Sequence, residues 1–361
     1  MEEKGKKGRM DCTLLLIVVL LVVIGLVILY STSAYNGQVK FHDSFYYLKK
    51  QAFATVLGIV LMLFVAGMDY HIWQRLAVFG YLAAVALSVA VMLFGREING
   101  SKRWLALGPF SFQPSEFAKV AVILFLADLV TKNVKTIGKM WTLCRIMFWI
   151  LPIVGLVGAS NLSTAIIILG IGVILIFVAS PKYAQFALMG LAGACFMGLF
   201  LALESYRLER LAIWRNPEKY EKGYQTLQGL YAIGSGGVFG VGLGNSVQKL
   251  GFVPEAQNDM IFSIICEELG LAGAGIIVFL FLLLIWRFFM IASGSRDLFG
   301  ALIATGAMAH MMIQVILNIA VVTNTIPNTG ITLPFISYGG TSVMFLLIEM
   351  GLVLSVSQVV D

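Results

Sequence analysis

Apolar runs recur along this chain near residues 12–31, 52–68, 77–94, 117–131, 146–159, 164–180, 184–203, 260–286, 298–322 and 341–358. Runs of about 17–25 residues fit the hydrocarbon core of a bilayer as helices. Only helices and closed barrels satisfy backbone hydrogen bonds in lipid, and these runs are continuous rather than alternating, which selects helices. With 59% hydrophobic and 12% charged residues, the chain lies far from a soluble globule, which has about 45–50% apolar and about 25% charged residues. Its mean hydropathy is +0.91. The expected fold is all-α: a polytopic membrane protein of about ten transmembrane helices forming one domain over 1–361. A cytoplasmic basic tail at 1–11 and a large extracellular loop at 204–259, between helices 7 and 8, complete that reading.

Lys4, Lys6, Lys7 and Arg9 precede the first run, which by the positive-inside bias places the N-terminus in the cytoplasm. An even number of spans returns the C-terminus to the same side. The first run is too long for a signal h-region and lacks a small-residue cleavage site, so it is expected to be retained. Cys12, Cys144, Cys195 and Cys266 have no close-spaced partners, which suggests neither a disulfide framework nor a zinc site. His42, His71 and His310 are widely separated and read as interfacial or packing residues. No nucleotide fingerprint is present, and nothing points to a nucleic-acid partner.

The expected outer face carries many cations, among them Arg103, Arg207, Arg210 and Lys249. Such a face can hold phosphates, because arginine binds them bidentately and lysine supplies a point charge; a solvated rim touching anionic lipid is the alternative. Between Asn99 and Lys119, Pro114 and Ser115 mark a helix start, and Glu116 and Lys119 are spaced to pair on one helical face. That is either a capped helix with a surface ion pair or a functional pair at the membrane edge. Tyr206, Leu208, Leu211, Ala212 and Ile213 form one face of an amphipathic helix whose arginines reach toward headgroups.

Six glycines lie between Gly234 and Gly244. Gly234, Gly236, Gly237, Gly242 and Gly244 are read as a flexible loop able to approach a ligand closely. Asp259 follows at the start of the next apolar run, which carries Glu267 and Glu268 inward. Either Asn258 or Asp259 could cap that helix, or the Asp259 carboxylate could do chemistry. The stretch Asn324 to Ser342 interrupts what would otherwise be helix, and irregular backbone at membrane depth is tolerated only where protein or a wet cavity satisfies it. Ser337 and Tyr338 are its candidate lining residues.

Taken together, GSKRW, QPSEFAK, YRLERL, AIGSGG, GLGNSVQKL, PEAQNDMIFSIICEELG and PNTGITLPFISYGG resemble the SEDS family of shape, elongation, division and sporulation proteins. The form of GNSVQKL after YRLERL is more similar to the division and sporulation branch (FtsW and SpoVE) than to the elongation branch. The resemblance implies a peptidoglycan glycosyltransferase that polymerises lipid II outside the bacterial cytoplasmic membrane. It implies a class B penicillin-binding protein as transpeptidase partner, among other divisome or elongasome membrane proteins. The family's essential aspartate falls on Asp259, its acidic and basic pair on Glu116 and Lys119, its arginines on Arg207 and Arg210, and its loop serine on Ser337. Two departures stand out. Gln257-Asn258 replaces the usual His-Thr or His-Asn, and Ser160-Asn161 replaces Pro-Asp, which removes a carboxylate.

Such a reaction needs one base, here Asp259, and cations to steady the departing pyrophosphate, for which Arg207, Arg210, Lys249 and Lys119 are candidates. A divalent cation, magnesium or manganese, could share that work, although no carboxylate cluster demands one. A lipid-precursor flippase is the rival reading, because a polar cavity among broken helices also serves transport. A scaffold that only recruits the transpeptidase is a third.

Overall fold

The computed structural model describes residues 8, 10–98, 101–107, 110–182, 185–187, 190 and 212–359. Its long elements are α1 (Cys12–Phe41), α2 (Tyr46–Gly67), α3 (Tyr70–Phe94), α4 (Pro114–Asn133), α5 (Met140–Ser160), α6 (Leu162–Ala179), α7 (Tyr224–Gly236), α8 (Ile261–Gly294), α9 (Leu298–Val322) and α10 (Gly340–Ser357). Nine of the ten expected spans fall on these helices; the seventh, 184–203, lies largely outside the described residues. Three short antiparallel strands, Arg96–Ile98, Ser101–Leu107 and Phe110–Phe112, join α3 to α4 where a plain loop was expected.

Eight described helices are long and apolar enough to cross a membrane. α4 is not among them, because it carries Glu116, Lys119, Asp128 and Lys132. It is nonetheless the most enclosed of the described helices, buried almost continuously from Ala118 to Ala127. A helix buried on all sides belongs in the middle of a bundle, and α4 packs there against α3, α6 and α9.

Short polar side chains start the helices. Asp11 accepts from the Leu14 N–H at 2.8 Å, Asp69 from His71 at 2.9 Å and Asp297 from Gly300 at 2.8 Å, each satisfying an orphan donor of the first turn. All three caps gather at one end of the bundle. There Asp297 meets the Tyr70 hydroxyl, Asp11 pairs with Arg287, and the Asp11 N–H donates to Ser357 at 3.2 Å.

A second polar bridge fixes the other end. Ser31 on α1 donates to Glu268 on α8 at 2.7 Å, while Asp11 at the foot of α1 pairs with Arg287 on α8. On both helices the two bridges are about twenty residues apart, which on α1 is ~30 Å at 1.5 Å per residue and comparable with a hydrocarbon core of about 30 Å. Asp259 precedes Glu268 and stands just before α8 begins.

Candidate active site

Asp259 sits two residues before α8, and it does not cap that helix: the N-cap position is Met260, with no side-chain bond. Asn258 does not cap it either, since its amide donates to Glu255 at 2.8 Å. The Asp259 carboxylate is half-buried and receives the Gln225 amide at 3.3 Å. Gln225 in turn accepts from Asn328 at 3.3 Å, which ties the carboxylate to the Asn324–Ser342 wall. Below it, Asn318 of α9 donates to the Asp259 carbonyl at 2.9 Å and to the Ile331 carbonyl at 2.7 Å.

This setting raises the carboxyl pKa to about 6, first through loss of water and then through the negative Glu255. The Gln225 amide and the N–H groups of Asp259 and Met260 pull the other way without cancelling the rise. A carboxylate that takes up a proton near pH 6 has a basicity matched to neutral conditions.

The glycine stretch does not form a loose lid. Gly234 and Gly236 lie inside α7, which corrects their reading as loop residues. A Cβ on Gly236 would lie 1.8 Å from the Cys266 carbonyl, so this glycine permits close packing on α8, whereas Gly234 has open space around it. Gly237, Gly242 and Gly244 do have φ of 55°, 100° and 88°, but the segment is pinned to a break in α8. Gly270 there has φ 67° and ψ −170°. Its interruption frees the Glu267 and Glu268 carbonyls, which accept from Val241 and Gly242 at 2.9 Å. Leu271 and Ala272 donate back to Gly237 and Val238 at 3.0 and 2.9 Å. Protein backbone thus satisfies these groups at the break, as a membrane-spanning helix requires.

Lys249 is buried beside that break, 2.6 Å from Glu268 and 3.1 Å from Ser31. Glu267 is held by the Ser246 hydroxyl and by the Val247 N–H at 3.1 Å. Lys119 is also fully buried, 3.1 Å from Glu116 and 3.1 Å from Gln314. Both lysines were candidates to meet a pyrophosphate directly. In the structure each is buried against an internal carboxylate partner, without which its charge would be costly there.

Arg103 donates to the Ser160 carbonyl at 3.1 Å, and with Ser115 and Asn161 it lines a narrow cleft. Asn161, standing where a carboxylate was expected, caps α6 through the Thr164 N–H at 3.3 Å. The Ser337 hydroxyl oxygen accepts from Leu333 at 2.8 Å and is buried, so it closes its own loop. Tyr338 receives Tyr47 edge-on at 4.9 Å, and burial pushes its phenol up to about 12, leaving it a neutral donor. Arg207 and Arg210 lie outside the described residues.

Four residues absent from the sequence-based set take part in the hydrogen bonding around Asp259 and Lys119: Gln225, His310, Gln314 and Asn318. His310 contacts Glu349 at 2.8 Å and Gln314 at 2.8 Å. The signal was present in the sequence, because His310, Gln314 and Asn318 recur every four residues within an apolar run, and polar groups inside a span mark a functional face.

The cell cycle protein family of FtsW, RodA and SpoVE matches residues 12–361. The chain belongs to this family. Stage V sporulation protein E of Bacillus subtilis is 40% identical over 98% of both chains. A probable peptidoglycan glycosyltransferase FtsW of Trichlorobacter lovleyi is 35% identical over 96% of this family member and 93% of its own length. Among solved structures, a chain of a peptidoglycan synthase complex that coordinates polymerization and crosslinking superposes with a TM-score of 0.83. It is 30% identical over 96% of this chain and 97% of its own. RodA of Thermus thermophilus superposes at 0.72 with 28% identity, over 96% of both chains.

Proposed function

We propose that this multi-pass membrane protein is a peptidoglycan glycosyltransferase of cell division or sporulation, polymerising lipid II at the outer face of the bacterial cytoplasmic membrane. The observation that carries the reading is Asp259: a carboxylate just before α8, uninvolved in capping, with its pKa raised to about 6. An acceptor sugar hydroxyl attacks the anomeric carbon of the donor. The bond from that carbon to the pyrophosphate oxygen breaks, and the hydroxyl proton passes to Asp259. Pyrophosphate leaves on its lipid without needing an acid.

With Lys119 and Lys249 neutralised within the wall, Arg207 and Arg210 are assigned the developing pyrophosphate charge. The described residues hold no group of three His, Cys, Asp or Glu that could build a metal site. A magnesium or manganese ion arriving with the pyrophosphate would find exposed Glu255 beside Asp259 as its protein carboxylate. The likeness to a synthase complex supports a class B penicillin-binding protein as crosslinking partner, working with other divisome or elongasome membrane proteins. Basic residues before α1 support cytoplasmic termini.

Fluorescent lipid II supplied to the purified protein with its transpeptidase tests this reading. Glycan ladders are the expected product. Translocation of lipid II across vesicles without ladders would replace polymerisation by transport.

A further inference from the structure

Asn318 is completely buried on α9, and both of its amide N–H groups are committed. One goes to the Asp259 carbonyl at 2.9 Å and the other to the Ile331 carbonyl at 2.7 Å. Both partners are acceptors only, so the amide can face only one way. One turn along the same face, Gln314 donates to the Thr332 carbonyl at 3.1 Å, which fixes its orientation too. Its oxygen then accepts from Lys119 at 3.1 Å and from His310 Nε2 at 2.8 Å. His310 Nδ1 meets Glu349 at 2.8 Å. His310, Gln314 and Asn318 lie four residues apart on one helical face, and the hydrogen-bonded row runs from Glu349 through His310 to Gln314.

We propose that Asn318 is the positioning residue of Asp259, clamping its main chain to the Ile331 wall so that the carboxylate stays in place against the site. The Gln314–His310–Glu349 row below keeps that face of α9 turned toward the two loops. This assignment rests on Asp259 being the base proposed above.

Asn318→Leu keeps the side-chain shape and removes both donors, whereas Asn318→Gln keeps the donors on a longer arm. Each is made in the full chain, purified with its transpeptidase, and assayed on fluorescent lipid II from pH 5 to 8. Because a misplacement of about 1 Å can cost about 100-fold in rate, the leucine variant is expected to lose between about 10- and 100-fold in kcat with little change in KM. The acid limb of its pH profile should move to lower pH, since Asp259 released toward water loses the desolvation that raised it, with Glu255 the charged group still facing it. Asn318→Gln should recover much of kcat and return the limb toward wild type. Should the leucine variant fail to fold, Asn318→Ser, able to serve one carbonyl, carries the same comparison. A wild-type kcat and limb, a change in KM alone, or equal losses in the leucine and glutamine variants with an unmoved limb would overturn the proposal. Asp259→Asn run alongside separates the two readings. Full activity there removes the base and Asn318's role together; an inactive Asp259→Asn beside an unaffected Asn318→Leu removes only the positioning role.

Discussion

Lys249 reaches Glu268 at 2.6 Å with both side chains out of water, joining the segment after α7 to the break in α8. Ser31 of α1 completes the cluster by donating to Glu268 at 2.7 Å and accepting from Lys249 at 3.1 Å. Removing one member of a buried ion pair strands the other and costs about 3–5 kcal/mol. Lys249→Met should therefore lower the melting temperature in detergent markedly. The double variant Lys249→Met/Glu268→Gln should recover most of the loss, because no uncompensated charge remains. Equal melting of the two variants would show that the pair is not the brace described here.

Gly270 makes a second stability prediction. A Cβ there would lie 2.4 Å from the Gly240 nitrogen and the Val238 oxygen, and its φ is +67°. Backbone in that region costs a non-glycine residue about 1–3 kcal/mol before any clash is counted. Gly270→Ala should fold poorly or melt early, while alanine at Gly275, which has open space around it, should be tolerated. Size-exclusion profiles and melting curves compare the two.

The raised Asp259 pKa gives opposite signs for activity and stability. A carboxyl group whose folded pKa of about 6 exceeds the ordinary 3.8 binds its proton more tightly in the fold. Its ionised form therefore destabilises the native state at pH above 6, and that cost fades as pH falls toward 4. Asp259→Asn should then be more stable than wild type at pH 8, on the order of 1–3 kcal/mol, with the difference vanishing near pH 4. Melting curves at the two pH values check this; a destabilised asparagine variant at pH 8 would contradict the desolvated carboxylate.

Activity runs the other way. With a base of pKa about 6, kcat should be flat above pH 7 and fall about tenfold for each unit below the pKa. A limb near pH 4 instead would mean that Asp259 titrates as an ordinary exposed carboxylate.

The helical bundle was legible because spans announce themselves by length and apolarity, and even α4 could be read despite Glu116, Lys119, Asp128 and Lys132. The strands between Arg96 and Phe112 were not legible: two have only three residues, too few to establish an alternating pattern, and Ser101–Leu107 does not alternate cleanly between apolar and polar residues. The glycines invited a flexible-loop reading because sequence shows conformational freedom but not what fills it. Only the break at Gly270 reveals that the loop backbone completes the hydrogen bonds of α8. Lys249 looked like an open cation for a similar reason, its partner Glu268 being set by packing, whereas Lys119 pairs with Glu116 as their spacing on one helical face allowed. His310, by contrast, was visible at helical spacing from Gln314 and Asn318, and read singly it passed for a packing residue.

The most direct measurement compares glycan ladders from wild type and Asp259→Asn, each purified with its transpeptidase and supplied with fluorescent lipid II. Wild type should give ladders, and the asparagine variant, folded and still bound to its partner, should give none. Ladders of wild-type length and rate from Asp259→Asn would contradict the assignment of Asp259 as the base.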